Sequence, residues 1–405
     1  MCLRYRNPQN IYDVLQPLLA CSKVFGQTAF LIVGVPPYVQ VKVSRAEYVA
    51  LLMNLLVNCF CVYINITNQR LSRLTGSVVM DMGLSFLFPL GAIFMILLAL
   101  DNFLRRNLTC TIIAELFKVD RSLQRKSYKL NHRRQYVVLM RILIMLIGLI
   151  ASGTVFSLVM TFFSEFSIRN HAINAFSYVV TGVQFMIVNF HFVSAARLIT
   201  YRLEAIKGCL KKHLDAGSWW IEQRHRWGRR VEPIDVIADL AEDFATLAHV
   251  IERANRIYSN QIVALISGVA MFSIFVIYAS SYSYYVGSMQ ESRLTLILLS
   301  AWVFYIIMVG LIFFSGMGVK NMGIAIADLL HEALHREDDL PTRRKLICFS
   351  QQVLLRPPKL RCMFYEYNWK TLFSLFGIVV TYLVILLQFD KISSDSSYDR
   401  NVPAS

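Results

Sequence analysis

Charge is what this 405-residue chain has least of: 17% of its residues are charged and 56% are hydrophobic. A soluble globular domain carries roughly a quarter charged residues, so an ordinary water-soluble fold is excluded. The chain also lacks a glycine-rich nucleotide loop, a serine nucleophile elbow and a Cys-His zinc knuckle, which leaves an enzyme activity without a motif. No internal repeat is present, so an inverted-repeat transporter has no support from symmetry. A cleavable signal is not expected either, because Asp13, Gln16 and Pro17 interrupt Ile11 to Ala20. The spans themselves must direct insertion.

What is present is seven apolar segments, each long enough to cross about 30 Å of hydrocarbon. They lie near 46–66, 78–100, 136–160, 172–196, 261–284, 294–316 and 370–389. The stretch Val24 to Val35 is too short to span and ends at Pro36-Pro37, so it reads as interfacial or packed against the bundle. The predicted fold is an all-α integral membrane bundle of seven helices. The net charge of +15 is unevenly placed: 33 Lys and Arg fall in the N-terminus and the loops at 101–135, 197–260 and 317–369, against 6 in the opposite loops and tail. Positive residues are retained on the cytosolic side, which predicts a cytosolic N-terminus and an extracellular C-terminus, opposite to a G-protein-coupled receptor. The basic charge is then topogenic and faces anionic lipid; it does not call for nucleic acid.

In this topology no outer loop holds a cysteine pair among the eight cysteines, and a structural disulfide is not expected. Asn65-Ile66-Thr67 is a glycosylation sequon hard against the outer membrane face, and Asn107-Leu108-Thr109 falls on the cytosolic side, where it is silent.

The long inner loops carry helical periodicity. Ile199, Leu203, Ile206, Leu210 and Leu214 keep it after the fourth span, and Ile237, Leu240, Phe244, Leu247, Ile251 and Ala254 before the fifth. Both spans should continue as long helices, with Gly217 to Arg230 as a mobile basic loop between them. Ile326, Leu329, Leu330, Ala333 and Leu334 extend the sixth span; Pro341 suits the start of a further helix, Pro357-Pro358 end it, and Asn368 can cap the last span. Such amphipathic extensions invite packing between subunits.

His331-Glu332-Ala333-Leu334-His335 spells the zincin pattern, and a seven-span zinc metalloprotease is one alternative to weigh. A catalytic zinc needs a third protein ligand, yet no histidine follows His335 and Glu366 stands isolated. A surface helix with histidines at i and i+4 accounts for the motif better. No metal or other cofactor is expected.

The last span holds the most informative pattern: Thr381-Tyr382, five apolar residues, then Gln388-Phe389. At 100° per residue Ser374, Gly377, Thr381, Ile385 and Gln388 share one narrow stripe. Small and polar residues on one face of an apolar helix point to a close helix neighbour or a wet lumen. One helix cannot enclose a lumen, so several copies would be needed.

The Thr-Tyr, five apolar, Gln-Phe pattern resembles the C-terminal signature of insect gustatory receptors. Weaker similarity extends through Tyr201-Arg202-Leu203 and Asn255 to Gln261, whereas Arg361-Cys362-Met363-Phe364-Tyr365 departs from the glycine the family often places before the last span. The resemblance implies a tetrameric, tastant-gated, non-selective cation channel, homo- or heteromeric, in the plasma membrane of gustatory neurons. Ile385 and Phe389 become candidate gate residues, Gln388 a polar ring at the outer mouth, Thr381 a continuation of the stripe and Tyr382 a residue packed behind it. It further implies segments 1–45 (cytosolic), 46–316 (six-span ligand-binding bundle), 317–369 (cytosolic anchor), 370–389 (pore helix) and 390–405 (extracellular tail). A ligand pocket needs aromatic faces and a few polar groups; the outer halves of spans two to six offer Asp81, Phe86, Tyr178, Gln184, Tyr278, Tyr282, Trp302 and Tyr305. A metabotropic seven-span receptor and a non-conducting accessory subunit remain rival readings. Partners are a small-molecule tastant, cations and the bilayer.

Overall fold

In the computed structural model the described residues are 8, 10–28, 31–33, 40–42, 45–67, 78–126, 128, 130–162, 168–215, 233–286, 289–362 and 364–400. Helix α1 (Ile11–Val24) leads to an antiparallel pair, β1 (Leu31–Val33) and β2 (Gln40–Lys42), with Ile32 opposite Val41. There follow α2 (Arg45–Thr67), α3 (Val78–Leu104), α4 (Arg106–Arg125), α5 (His132–Phe162), α6 (Ile168–Asp215), α7 (Pro233–Val286), α8 (Met289–Arg336), α9 (Leu340–Leu355) and α10 (Trp369–Arg400). Among the described residues, seven helices are long and apolar enough to cross a membrane: α2, α3, α5, α6, α7, α8 and α10. They coincide with the seven segments expected from hydropathy. The basic segment expected between spans four and five, Gly217 to Arg230, lies outside the described residues.

Three helices are far longer than a bilayer requires. α6, α7 and α8 run 48, 54 and 48 residues, or about 70–80 Å at about 1.5 Å per residue. Their surplus turns carry the apolar stripes seen in the sequence, and Leu203, Ile206, Leu240, Phe244, Leu247, Ile326 and Leu330 are all buried in one core. That core is closed from outside by α4 and α9, which pack on α7. The stripes that invited packing between subunits are therefore consumed within the chain.

Two helices escaped the sequence reading. α4 lies in a segment read only as a basic loop, although Ile112, Ile113, Leu116, Val119 and Leu123 form its buried face. α1 forms despite Pro17, with Asn10 capping it through the Asp13 N–H at 3.0 Å. Its far end is tied to the bundle by Ser22 with His191 at 2.5 Å and by Lys23 with Glu47 at 2.5 Å. Gly26 then turns the chain at φ 62°, close enough to the Ala50 carbonyl that a Cβ would collide with it.

α2 is amphipathic in the inverse sense suited to lipid. Glu47, Asn54, Asn58 and Cys61 are buried, while Leu52, Met53, Leu56, Phe60 and Tyr63 are exposed. The buried amides hydrogen-bond one another, Asn58 Nδ2 and Gln184 Nε2 both donating to Asn54 Oδ1 at 2.6 and 2.8 Å. Polar contacts replace the hydrophobic effect, which offers little between helices already in hydrocarbon.

α4 is clamped by charge. Lys126 and Ser122 both donate to Asp243 Oδ2, at 2.5 and 2.9 Å, and Glu115 pairs with Arg253. Deepest of all is Asp120 with Arg202 of α6 at 2.6 Å, where both side chains are almost wholly inaccessible. The described cysteines are free, and burial pushes the Cys110 thiol up to about 12, so it stays protonated and unreactive at neutral pH.

The connection into α10 packs tightly. Asp339 caps α9 by accepting from the Thr342 N–H at 3.2 Å. The turn that departs from the family pattern closes through Cys362 N–H to the Tyr365 carbonyl at 2.9 Å. Tyr367 inserts between Phe192 and Phe313, and Gly316 and Gly323 lack the Cβ that would strike Tyr367 and Pro358. Asn368 then starts α10 as expected, accepting from the Thr371 N–H at 2.8 Å.

Removing one partner of a buried pair strands the other charge, at a cost of about 3–5 kcal/mol. Arg202→Ala should lower folded yield and the thermal midpoint sharply, and Asp120→Leu with Arg202→Met should recover much of the loss. Thermal denaturation of the purified variants checks both.

Candidate pore face and ligand cavity

α10 is the least covered of the seven spans: 6% of the Trp369–Gln388 segment is buried, against 67% for the span in α6. It packs chiefly on α7, through Leu372, Leu375, Val379, Leu383 and Leu386. Ser374, Gly377, Thr381, Ile385 and Gln388 are all exposed. At 100° per residue the centres of the two sets stand roughly 160° apart. The polar stripe thus points away from its own bundle.

The stripe's hydroxyls are aimed by the helix itself. Ser374 donates to the Lys370 carbonyl at 3.0 Å and Thr381 to the Gly377 carbonyl at 2.9 Å. Their protons are occupied, so the outward face presents oxygen lone pairs and the Gln388 amide. Tyr382 is 56% exposed and is not packed behind the stripe within this chain. The Phe389 side chain lies outside the described residues.

Low coverage alone is not distinctive, since the span in α5 is only 11% buried. Its exposed large side chains, however, include Ile144, Met145, Ile147, Val155, Leu158 and Val159. Apart from Arg141 and Ser152 that surface is apolar from Val137 onward, whereas α10 lines up a stripe of small and uncharged polar residues outside.

A cavity of about 670 Å³, counting its open mouth, lies among α2, α3, α6, α7 and α8. Its wall is mostly apolar and aromatic, with Phe88, Phe94, Phe185 and Phe272, and its polar groups are Asn65, Ser177, Tyr178, Thr181 and Tyr305. None of the lining residues is charged. Tyr305 is held edge-on by Phe185 at 4.9 Å and Phe272 at 5.5 Å. A second, almost wholly apolar crevice lies between α7, α8 and α10, and Val269 lines both spaces.

Comparison with known proteins places this architecture. A model of the family described as 7tm Chemosensory receptor matches residues 15–393. The chain belongs to the seven-transmembrane chemosensory receptor family. It is accordingly a multi-pass membrane protein. The receptor's fold is similar to that of the insect olfactory receptor OR5 from Machilis hrabei, with a TM-score of 0.68 at 12% identity over 93% of this chain and 97% of that one. The structure of the same olfactory receptor in complex with eugenol matches with a TM-score of 0.67 at 12% identity, over the same shares. No curated relative matches the sequence.

Of the eight pocket residues expected from the receptor's sequence, Tyr178 and Tyr305 line the cavity. Gln184 does not line it but is buried and bonded to Asn54. Trp302 lines the apolar crevice and donates to Ser273 Oγ at 2.8 Å. Tyr278 and Tyr282 stack at 6.4 Å away from the cavity wall. Phe86 is 62% exposed on α3, and the Asp81 side chain lies outside the described residues. Sequence reasoning missed Asn65, Ser177 and Thr181. The signal available was the spacing of Asn54, Asn58, Cys61 and Asn65, which share one face of α2.

The zincin-like pattern falls on an exposed part of α8, where Glu332 pairs with Arg336 at 2.5 Å. Among the described residues no group of three or more His, Cys, Asp or Glu is placed to hold a metal.

Asn65 also bears on the sequon. It is helical, lines the cavity and donates to Ser177 Oγ at 3.1 Å, while Thr67 bonds back to the Tyr63 carbonyl at 2.7 Å. Glycan addition needs an accessible loop, so Asn65 should remain unmodified. Endoglycosidase treatment should leave the electrophoretic mobility unchanged, and Asn65→Gln should not remove a glycan-dependent band.

Proposed function

We propose that this receptor is a ligand-gated, non-selective cation channel of the gustatory type, in which α10 from several copies, four by family resemblance, lines a shared pore. The observation that carries the reading is the polar stripe of α10, exposed and opposite the face that packs on α7. A charge-free ring of amides and hydroxyl lone pairs suits passage of hydrated cations without tight binding. Ile385 supplies an apolar constriction one turn below Gln388, and Phe389 a second gate candidate. The charge asymmetry supports a cytosolic N-terminus and an extracellular C-terminus; placement in the plasma membrane of gustatory neurons follows from the family resemblance.

The ligand site is the cavity between α2, α3, α6, α7 and α8. Its uncharged, largely aromatic wall suits a neutral, mostly apolar compound carrying one or two hydroxyl or carbonyl groups. It offers no carboxylate for a sugar's hydroxyls or an ammonium ion. Leu87, Phe272, Tyr178 and Tyr305 belong to, or pack against, one hydrophobic cluster that Leu383 and Leu386 of α10 also join. A ligand that fits the open arrangement of this cluster better than the closed one shifts α10 by population.

Expression with calcium imaging against sugars, bitter aromatics and carbon dioxide tests the ligand class, with neutral aromatics expected to respond. Gln388→Ala should change conductance, ion selectivity or blocker sensitivity while ligand potency stays near wild type. A robust current indifferent to that change on all three measures would sink the pore assignment. Gly268 lines the cavity with open space where a Cβ would stand. Gly268→Leu should raise the half-maximal concentration about tenfold or more, some 1.4 kcal/mol, whereas Gly148→Leu on the outer face of α5 should not. Dose-response curves decide between them.

A further inference from the structure

Among the described lysines and arginines, Arg141 has an uncomfortable position. It stands well inside the membrane-spanning part of α5, exposed on the helix surface, with no carboxylate partner among the described residues. A charge at hydrocarbon depth is costly unless it reaches the interface or meets a counter-ion. Two further arginines are within reach of the same face. Arg134, also exposed, lies seven residues earlier and only about 20° around the helix. Helical side chains tilt toward the N-terminus, so the long Arg141 side chain can reach back toward the end of the span where Arg134 stands.

The third arginine comes from α6, which packs beside α5. Arg197 and Arg134 both lie within electrostatic range of the Tyr201 side chain. Arg197 holds its guanidinium 5.0 Å over the ring of Phe314 of α8, a ring that is 55% exposed. Its Nε is buried without a hydrogen-bond acceptor. Glu204 is in range of Tyr201 as well, but it is exposed and forms no ion pair with any of the three arginines.

We propose that Arg134, Arg141 and Arg197 form a binding site for the phosphate headgroup of an anionic phospholipid, where α5, α6 and α8 meet at the membrane face. Arg134 and Arg197 both lie within range of Tyr201, Arg141 stands two turns deeper on the Arg134 face of α5, and Phe314 supplies an apolar surface for the start of an acyl chain. Arginine suits phosphate because its planar fork makes paired hydrogen bonds. A lipid is the source, rather than soluble phosphate, because Arg141 and Phe314 face outward at the depth of the spans. The inner leaflet holds most anionic lipid, and the choice of leaflet rests on the topology proposed above.

The test uses the full-length receptor from vesicles of phosphatidylcholine with phosphatidylserine and phosphatidylinositol bisphosphate, extracted gently and weighed by native mass spectrometry. Wild type should retain anionic lipid over phosphatidylcholine, and Arg134→Gln with Arg141→Gln should cut that retention about tenfold at an unchanged thermal midpoint. Arg133→Gln, exposed on a different face, should retain as much as wild type. Equal anionic lipid on the double variant would overturn the site, and so would full displacement by soluble inositol trisphosphate. Retention is read without reference to sidedness, so a reversed topology, found separately by tag accessibility, would leave the site standing and move it to the other leaflet.

Discussion

A helix that crosses hydrocarbon satisfies its own backbone, but its side chains must match whatever surrounds them, and α10 does not match lipid on every side. Its inward face of Leu372, Leu375, Val379, Leu383 and Leu386 holds it to α7, and the opposite face offers Ser374, Thr381 and Gln388. The rest of the molecule is arranged around this mismatch. The long helices α6, α7 and α8 seal their own apolar stripes with α4 and α9, whereas α10 keeps a stripe of uncharged polar groups on its uncovered face. In the proposed channel, a shared wet axis between copies would resolve that mismatch without burying an unpaired amide.

The same helix α7 that anchors α10 also walls the ligand cavity. Val269 lines the cavity on one side and the apolar crevice against α10 on the other, and Phe272 of α7 contributes to the cavity while Ser273 lines the crevice. Packed interiors move between discrete arrangements more readily than they deform. The cavity and the α10 crevice therefore share side chains of α7, and under the proposed function this is the route by which ligand occupancy would bias α10.

Hydropathy made the seven spans legible because about 20 consecutive apolar residues fit a hydrocarbon slab and little else. The extensions of α6, α7 and α8 were legible through Leu203, Leu240 and Leu330, whose spacing survives outside the bilayer. α4 was hidden by the nine basic side chains of the 101–135 segment, which mask the apolar spacing of Ile112, Leu116 and Leu123. The stripe on α10 could be read from spacing alone, since it lies on one helix. The cavity could not: Tyr178 and Tyr305 were found, but Asn65, Ser177 and Thr181 meet only through the α2–α6 contact, and Trp302 and Tyr278 turn toward other neighbours. A pocket built from five helices depends on rotations that no single helix encodes.

The central claim is that the polar face of α10 meets its counterpart from other copies. Single cysteines placed along α10 in an otherwise functional receptor, oxidised in the native membrane and resolved by gel electrophoresis, test it most directly. The account predicts linked subunits from Thr381→Cys, Ile385→Cys and Gln388→Cys, and none from Leu383→Cys or Leu386→Cys. Linkage without that periodicity, or strongest from the leucine positions, would contradict it.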